Sequence, residues 1–255
     1  MQSVMFIAHG NPLNALADNQ FTRCLRTLGQ DIQPVPKAIL VISAHWLAGS
    51  SQVNSTPHPE TIHDFFGFPD DLYKVQYPCP GSPETADKIL LRLPELGVDQ
   101  YRGLDHGVWS VLKHIYPRAN IPILQLSIDI RKPPLYQYEL GKKLRFLRED
   151  NVLVLGSGNI VHNLREVDFS LHAVTDPRNI EFDLWVASML QAGDHQALVD
   201  YRSQNDLASY AVPTPDHYYP LLYCLGATDS SEQPQTVYSG YEHRSLSMRC
   251  VSWSI

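Results

Sequence analysis

Val4-Met5-Phe6-Ile7-Ala8-His9-Gly10-Asn11-Pro12 and Ala38-Ile39-Leu40-Val41-Ile42-Ser43-Ala44-His45-Trp46 are the stretches that decide how this chain folds. Each is a short apolar run, rich in β-branched residues, that leads into a histidine. Runs of this kind, closed by Gly, Pro or polar residues, read as strands buried on both faces. Ile121 to Ile128 and Asn151 to Leu155 have the same character. Helical signals lie between and after them. Ser82 and Pro83 stand as cap and first residue ahead of Ala86, Ile89, Leu90 and Leu93, and Leu140, Leu144 and Leu147 follow Pro133 and Pro134. Further on, Ile180, Leu184 and Ala187 fall on one helical face, and Tyr218, Leu221, Leu222 and Leu225 follow Pro215. Alternation of strand and helix predicts an α/β fold: a mostly parallel central sheet flanked by helices in three layers, α/β/α. The closing segments Gln235 to Ser239 and Leu246 to Trp253 are expected to add antiparallel edge strands.

The chain has 255 residues, 44% hydrophobic and 18% charged, which suits one large domain, 1–255, with a substantial core. The Pro-rich stretch from Pro57 to Pro83 reads as a long ordered loop over a site and not as a linker. A formal charge of -7 gives no pull toward a polyanion and argues against nucleic acid or an anionic membrane as partner. Cys24, Cys79, Cys224 and Cys250 are far apart with no C-x-x-C pair, as expected of reduced thiols. No export signal and no spanning run of about 18 apolar residues is read, so a cytoplasmic protein is expected.

His9 and His45 directly follow the first two predicted strands. His162 follows the strand Asn151 to Leu155 across what reads as a tight turn, Gly156-Ser157-Gly158-Asn159. Ligands and metals gather at the carboxyl ends of parallel strands, where a rigid scaffold projects side chains into the crevice between loops. For His217, Thr214 as cap and Pro215 as first residue would place the ring in the first turn of a helix. The dipole there disfavours imidazolium and leaves a lone pair for a divalent metal. A lone histidine after a strand is more often a hydrogen-bonded structural residue than a ligand. Together these positions leave a metal site and a set of structural histidines as the two open readings.

His106, in a Gly-bracketed turn before a helix, and His63, in the long loop, could line a pocket. Asp105 and Asp64 adjoin them in sequence. Phe65, Phe66, Phe68, Tyr73 and Tyr77 could wall it. His58, His114, His172, His195 and His243 read as surface or structural. There is no H-E-x-x-H, no G-x-G-x-x-G after the first strand, and Gly156-Ser157-Gly158 falls short of a nucleophile elbow. Chemistry at this site therefore falls to a metal.

An ordered series of motifs extends this reading: His9-Gly10-Asn11-Pro12, Ser43-Ala44-His45-Trp46, Thr61-Ile62-His63-Asp64-Phe65, Tyr77-Pro78-Cys79-Pro80-Gly81-Ser82-Pro83, Asp105-His106-Gly107, Gln125-Leu126-Ser127-Ile128-Asp129, Ser157-Gly158-Asn159-Ile160-Val161-His162-Asn163-Leu164 and Pro213-Thr214-Pro215-Asp216-His217-Tyr218. In these the sequence resembles the bacterial 4,5-DOPA extradiol dioxygenases, the DODA-type branch of the class III, LigB-like ring-opening dioxygenases, over almost the whole chain. Each motif is weak alone; the ordered set is specific.

The resemblance implies that His9, His45 and His217 ligate one divalent metal per chain, Fe(II) for activity and Zn(II) in protein as purified. His162 would stand beside them as acid/base or fourth ligand. His106 would face the substrate, with His63 and Phe65 also in the substrate pocket. The implied partners are a small catechol, L-DOPA converted to 4,5-seco-DOPA as a betalamic acid precursor, and O2. An all-histidine centre keeps the full charge of the ion, which favours a deprotonated catechol. Asn11 stands where the family usually has Ser, and Phe66 where Gly is common. The alternatives are a zinc-dependent hydrolase on the same scaffold and a non-catalytic Memo-type metal- or partner-binding protein.

Overall fold

Six strands build the central sheet: β1 (Val4–Ala8), β2 (Ala38–Ser43), β3 (Ile123–Gln125), β4 (Val152–Gly158), β5 (Pro234–Tyr238) and β6 (Cys250–Trp253). The computed structural model describes residues 1–170, 173–229 and 231–254. In space the strands run β3-β2-β4-β1-β6-β5. The first four are parallel, β6 is antiparallel to β1, and β5 is antiparallel to β6. Every residue of β1, β2 and β4 is buried, which is why these strands read as continuous apolar runs and not as alternations.

Both faces of the sheet carry a core. Val4, Phe6, Leu40, Ile42, Val152 and Val154 pack against Leu140 and Leu144 of the Pro134–Leu144 helix, Phe182 of Pro177–Ala192, and Leu221, Leu222 and Leu225 of Tyr219–Ala227. Their sequence neighbours Met5, Ile7, Ile39, Val41, Leu153 and Leu155 face the other way. They meet Phe21 and Leu25 of Gln20–Asp31 and Val108, Trp109 and Leu112 of His106–Ile115. Each large side chain sealed this way contributes roughly 1.5–3 kcal/mol, and the result is the expected helix–sheet–helix arrangement.

Register matters more for function. Ala8 pairs with Gly158 and Ser43 with Ser157, so β1, β4 and β2 end level with one another. Whatever follows them emerges at one edge.

Several local expectations are corrected. Gly156-Ser157-Gly158 is not a turn but the last part of β4. A Cβ at Gly156 would lie 2.6 Å from the Pro220 carbonyl oxygen, and one at Gly158 would lie 2.2 Å from that of His217. These glycines exist because another backbone crosses the strand there. Only Ile123–Gln125 of the run from Ile121 joins the sheet, while Ile128–Asp129 pairs with Leu47–Ala48. Only Cys250–Trp253 of the closing segment is an inserted strand, and Leu246–Ser247 forms a small ribbon with Tyr241–Glu242. The Pro177–Ala192 helix buries Phe182, Val186 and Leu190 while Leu184 is exposed. The inward face is turned by Asp183, which is buried in an ion pair with Arg249.

Candidate metal centre

His9 directly follows β1, and His45 lies two residues beyond Ser43, the last of β2, so the level strand ends deliver both rings to one spot. His217 arrives from the opposite side. It sits in the turn ahead of the Tyr219–Ala227 helix and not in that helix's first turn, because the helix starts four residues later than Pro215 suggests. The absent Cβ of Gly158 admits the His217 carbonyl, and the Asn159 N–H donates to it at 3.0 Å.

The three imidazoles form a nearly equilateral triangle. Ring centroids are 4.8 Å apart for His9 and His45, 5.1 Å for His9 and His217, and 5.0 Å for His45 and His217. Their nitrogens lie within 4.8 Å of one another. The Nε2 atoms of His9 and His45 are 3.0 Å apart. Two nitrogens bound about 2.1 Å from one ion, at angles of about 90–109°, are expected roughly 2.9–3.4 Å apart.

Protonation fits the same picture. Burial first, and then the neighbouring imidazoles, hold His9 and His217 well below the usual histidine range. His45 is pushed down to about 3 by burial and by His106, against the pull of Asp64. Neutral rings are what a divalent ion needs. His217 Nδ1 donates to Asp216 Oδ2, while its Nε2 is buried with no hydrogen-bond partner. An orphaned buried polar atom costs about 1–3 kcal/mol, and a cation in the triangle would remove that cost. The donor set therefore fits one divalent metal held by three nitrogens. Among the described residues no glutamate joins the clusters of candidate ligands.

Carboxylates brace the rim. Asp64 Oδ1 accepts from the backbone N–H of His106 at 2.9 Å and from its Nδ1 at 3.0 Å, while Oδ2 stands 3.6 Å from His45 Nδ1. Burial would raise the Asp64 pKa, but the hydrogen bonds from His106 outweigh it and hold the carboxyl well below its usual range. Asp105 is sealed beneath, accepting from Ser43 Oγ at 2.6 Å and from Arg102 Nη2 at 3.2 Å, and burial raises its pKa.

The His106 ring lies 3.9 Å from that of His45 and 5.5 Å from that of His9. Phe65 meets His106 edge-on at 5.5 Å. His162 lies flat on His217, centroids 3.4 Å apart and planes 5° apart. Burial pushes its pKa down to about 4, against the opposing pull of Asp216. His63 is not drawn into the imidazole cluster: its Nε2 donates to the Val75 carbonyl at 3.1 Å, and it packs on Trp109 and Phe65. Tyr77 turns inward to the Tyr116 carbonyl, and Phe66 is 92% exposed. His114 and His195 bond to Asn14 and Tyr138, away from the cluster; His172 lies outside the described residues.

The family model of the catalytic LigB subunit of aromatic ring-opening dioxygenase matches residues 4–249. The chain belongs to the LigB family. It is 42% identical over 253 residues to the 4,5-DOPA dioxygenase extradiol of Escherichia coli (strain K12), covering 97% of this chain and 93% of that one. The Mirabilis jalapa protein of the same name is 36% identical, covering 94% and 92%. A crystal structure of an uncharacterized protein from Escherichia coli K12 superposes with a TM-score of 0.86 at 37% identity, covering 99% of both chains. This LigB-family chain is a metal-dependent extradiol ring-opening dioxygenase acting on a small molecule with dioxygen. No helix among its described residues is long and apolar enough to cross a membrane.

Sequence reasoning missed the residues that hold the rings. Asp64 and Asp216 stood beside histidines without evident purpose, and Ser157 was hidden in an apparent turn. One signal for Ser157 was available: a serine between two glycines directly after a buried apolar run, just as Ser43 closes the run before Ala44-His45.

Proposed function

We propose that this dioxygenase opens the ring of L-DOPA to 4,5-seco-DOPA, with His9, His45 and His217 holding one ferrous ion and residues 1–255 working as a single catalytic domain. The observation that carries this is the convergence of three neutral imidazoles with the Nε2 of His217 buried and unpartnered. The catechol is suggested by relatives named 4,5-DOPA dioxygenase extradiol in Escherichia coli, Mirabilis jalapa and Beta vulgaris. The four free cysteines accord with a cytoplasmic setting.

A ferrous ion there would supply the electron transfer that lets a catechol react with dioxygen, and a positive charge that favours the catecholate. The chain's own residues handle protons and position. Asp64 engages Nδ1 of His106, which leaves Nε2 of that ring to take a proton from a catechol hydroxyl. His162 serves as the second acid/base. Two parallel rings 3.4 Å apart cannot both aim in-plane lone pairs at one ion, so the stacking on His217 favours this role over a fourth ligand. Neutral as it stands, His162 can accept a proton and return it. Phe65, edge-on to His106, offers a wall for the substrate ring. Phe65→Ala is expected to raise KM for the catechol roughly 2–10-fold with metal content unchanged, the worth of one aromatic contact.

Zinc competes for the same nitrogens, since affinity for imidazole is higher for zinc than for ferrous iron. Metal-free protein loaded anaerobically with ferrous iron, given L-DOPA and then oxygen, is expected to develop the yellow absorbance of a semialdehyde. The zinc-loaded control stays colourless. An iron sample that also stays colourless across a panel of catechols overturns the assignment.

A further inference from the structure

We infer that Ser157 is a positioning residue that fixes the tautomer of His9 and locks the metal side of the site to the substrate side. The inference rests on the reading of His9 as a metal ligand.

Ser157 is fully buried near the end of β4. Its hydroxyl has one proton to give. Oγ stands 2.5 Å from the carbonyl oxygen of Gly107, an atom that can only accept, so the proton lies on that bond. The second contact of Oγ is with His9 Nδ1 at 2.9 Å. With its proton already used, Oγ can only accept there. His9 Nδ1 must then carry the imidazole proton, and its Nε2, facing His45 Nε2 at 3.0 Å, is left with a bare lone pair. A neutral imidazole can place its proton on either nitrogen; this hydroxyl selects the form that binds metal. His9 has no carboxylate among its hydrogen-bond partners, unlike His217, so the serine does for it what Asp216 does for His217.

The same hydroxyl grips the other half of the site. Gly107 is the second residue of the helix that opens with His106. Ser43, paired with Ser157 across neighbouring strands, donates to Asp105 just ahead of that helix. Gly107 is pressed so close that a Cβ would lie 2.5 Å from Ser43 Oγ and 3.1 Å from His45 Cδ2. Two serines at level strand ends thus seat the helix start that carries His106, and one of them also orients His9.

The test reads nitrogen chemistry and metal affinity, neither of which requires ring opening. In metal-free protein labelled with 15N-histidine, the imidazole proton–nitrogen correlation is expected to show His9 neutral, protonated at Nδ1 and bare at Nε2. Ser157→Ala is expected to weaken zinc binding about 10–100-fold, as loss of a residue that orients a ligand does, and Ser157→Thr, which keeps a hydroxyl, to restore most of it. A packing role predicts the reverse ranking, because the smaller alanine fits a sealed site and the larger threonine overfills it. An unprotonated His9 Nδ1 in the wild-type chain, or a Ser157→Ala protein that binds zinc like wild type, overturns the role, and the wild-type spectrum decides even if the threonine variant does not fold. A wild-type chain that binds no zinc would instead remove the metal centre on which this role rests, and the role with it.

Discussion

Gly158→Ala is expected to empty the metal site and to cut ring opening by about 100-fold or more, although the substitution adds one methyl group and touches no ligand side chain. The added Cβ would lie 2.2 Å from the carbonyl oxygen of His217 and 3.1 Å from its carbonyl carbon. Both are backbone atoms, so no side-chain rotation relieves the clash. The turn bearing His217 must move away, and the bond from the Asn159 N–H to the His217 carbonyl breaks with it. A displacement of about 1 Å in a catalytic constellation costs on the order of 100-fold in rate, and overpacking of this kind costs about 1–3 kcal/mol of stability. Metal content by elemental analysis and a thermal melt would measure both effects. Gly49→Ala is the control: the nearest atoms its Cβ would meet are those of the Arg131 guanidinium at 3.8 Å, and wild-type metal content is expected. A Gly158→Ala protein with full metal occupancy would show that the close crossing does not position His217.

His162→Gln is expected to lower kcat by about 10²–10⁴-fold, the range for loss of a general acid or base, while metal content and the KM for catechol change little. The separation of effects follows from the stacked geometry. His162 lies on the face of His217, outside the triangle of converging nitrogens, and its backbone is fixed independently by the bond from its N–H to the Ala211 carbonyl. Glutamine keeps polarity and approximate length but cannot accept and return a proton at neutral pH. Unchanged turnover would remove the acid/base role. Loss of metal together with activity would place His162 among the ligands instead.

The general plan of this protein was legible in its sequence because the relevant signals are local. Continuous apolar runs such as Val4 to Ala8 and Ala38 to Ser43 can be satisfied only by burial on both faces, and parallel strands buried that way need helices on each side. A histidine placed just after such a run is carried to the edge of the sheet by the strand itself, so His9 and His45 could be singled out without coordinates. The presence of the Pro177–Ala192 helix was readable from the spacing of Ile180, Leu184 and Ala187, yet its buried face was not, since the pairing of Asp183 with Arg249 links residues 66 positions apart.

Tertiary structure alone decided which nitrogen of each histidine is free and which is anchored. The hydroxyl that engages His9 is 148 residues away, and the carboxylate shared by His106 and His45 comes from a loop 42 residues before His106. It also decided that Gly156 and Gly158 serve a backbone crossing and not a turn, and that His63 bonds to the Val75 carbonyl outside the cluster while His162 lies flat on His217. The reason is directional. Burial depends on how much apolar surface a segment carries, which its own residues determine. A hydrogen bond or a metal contact depends on the angle at which two distant segments meet, and no single segment contains that angle.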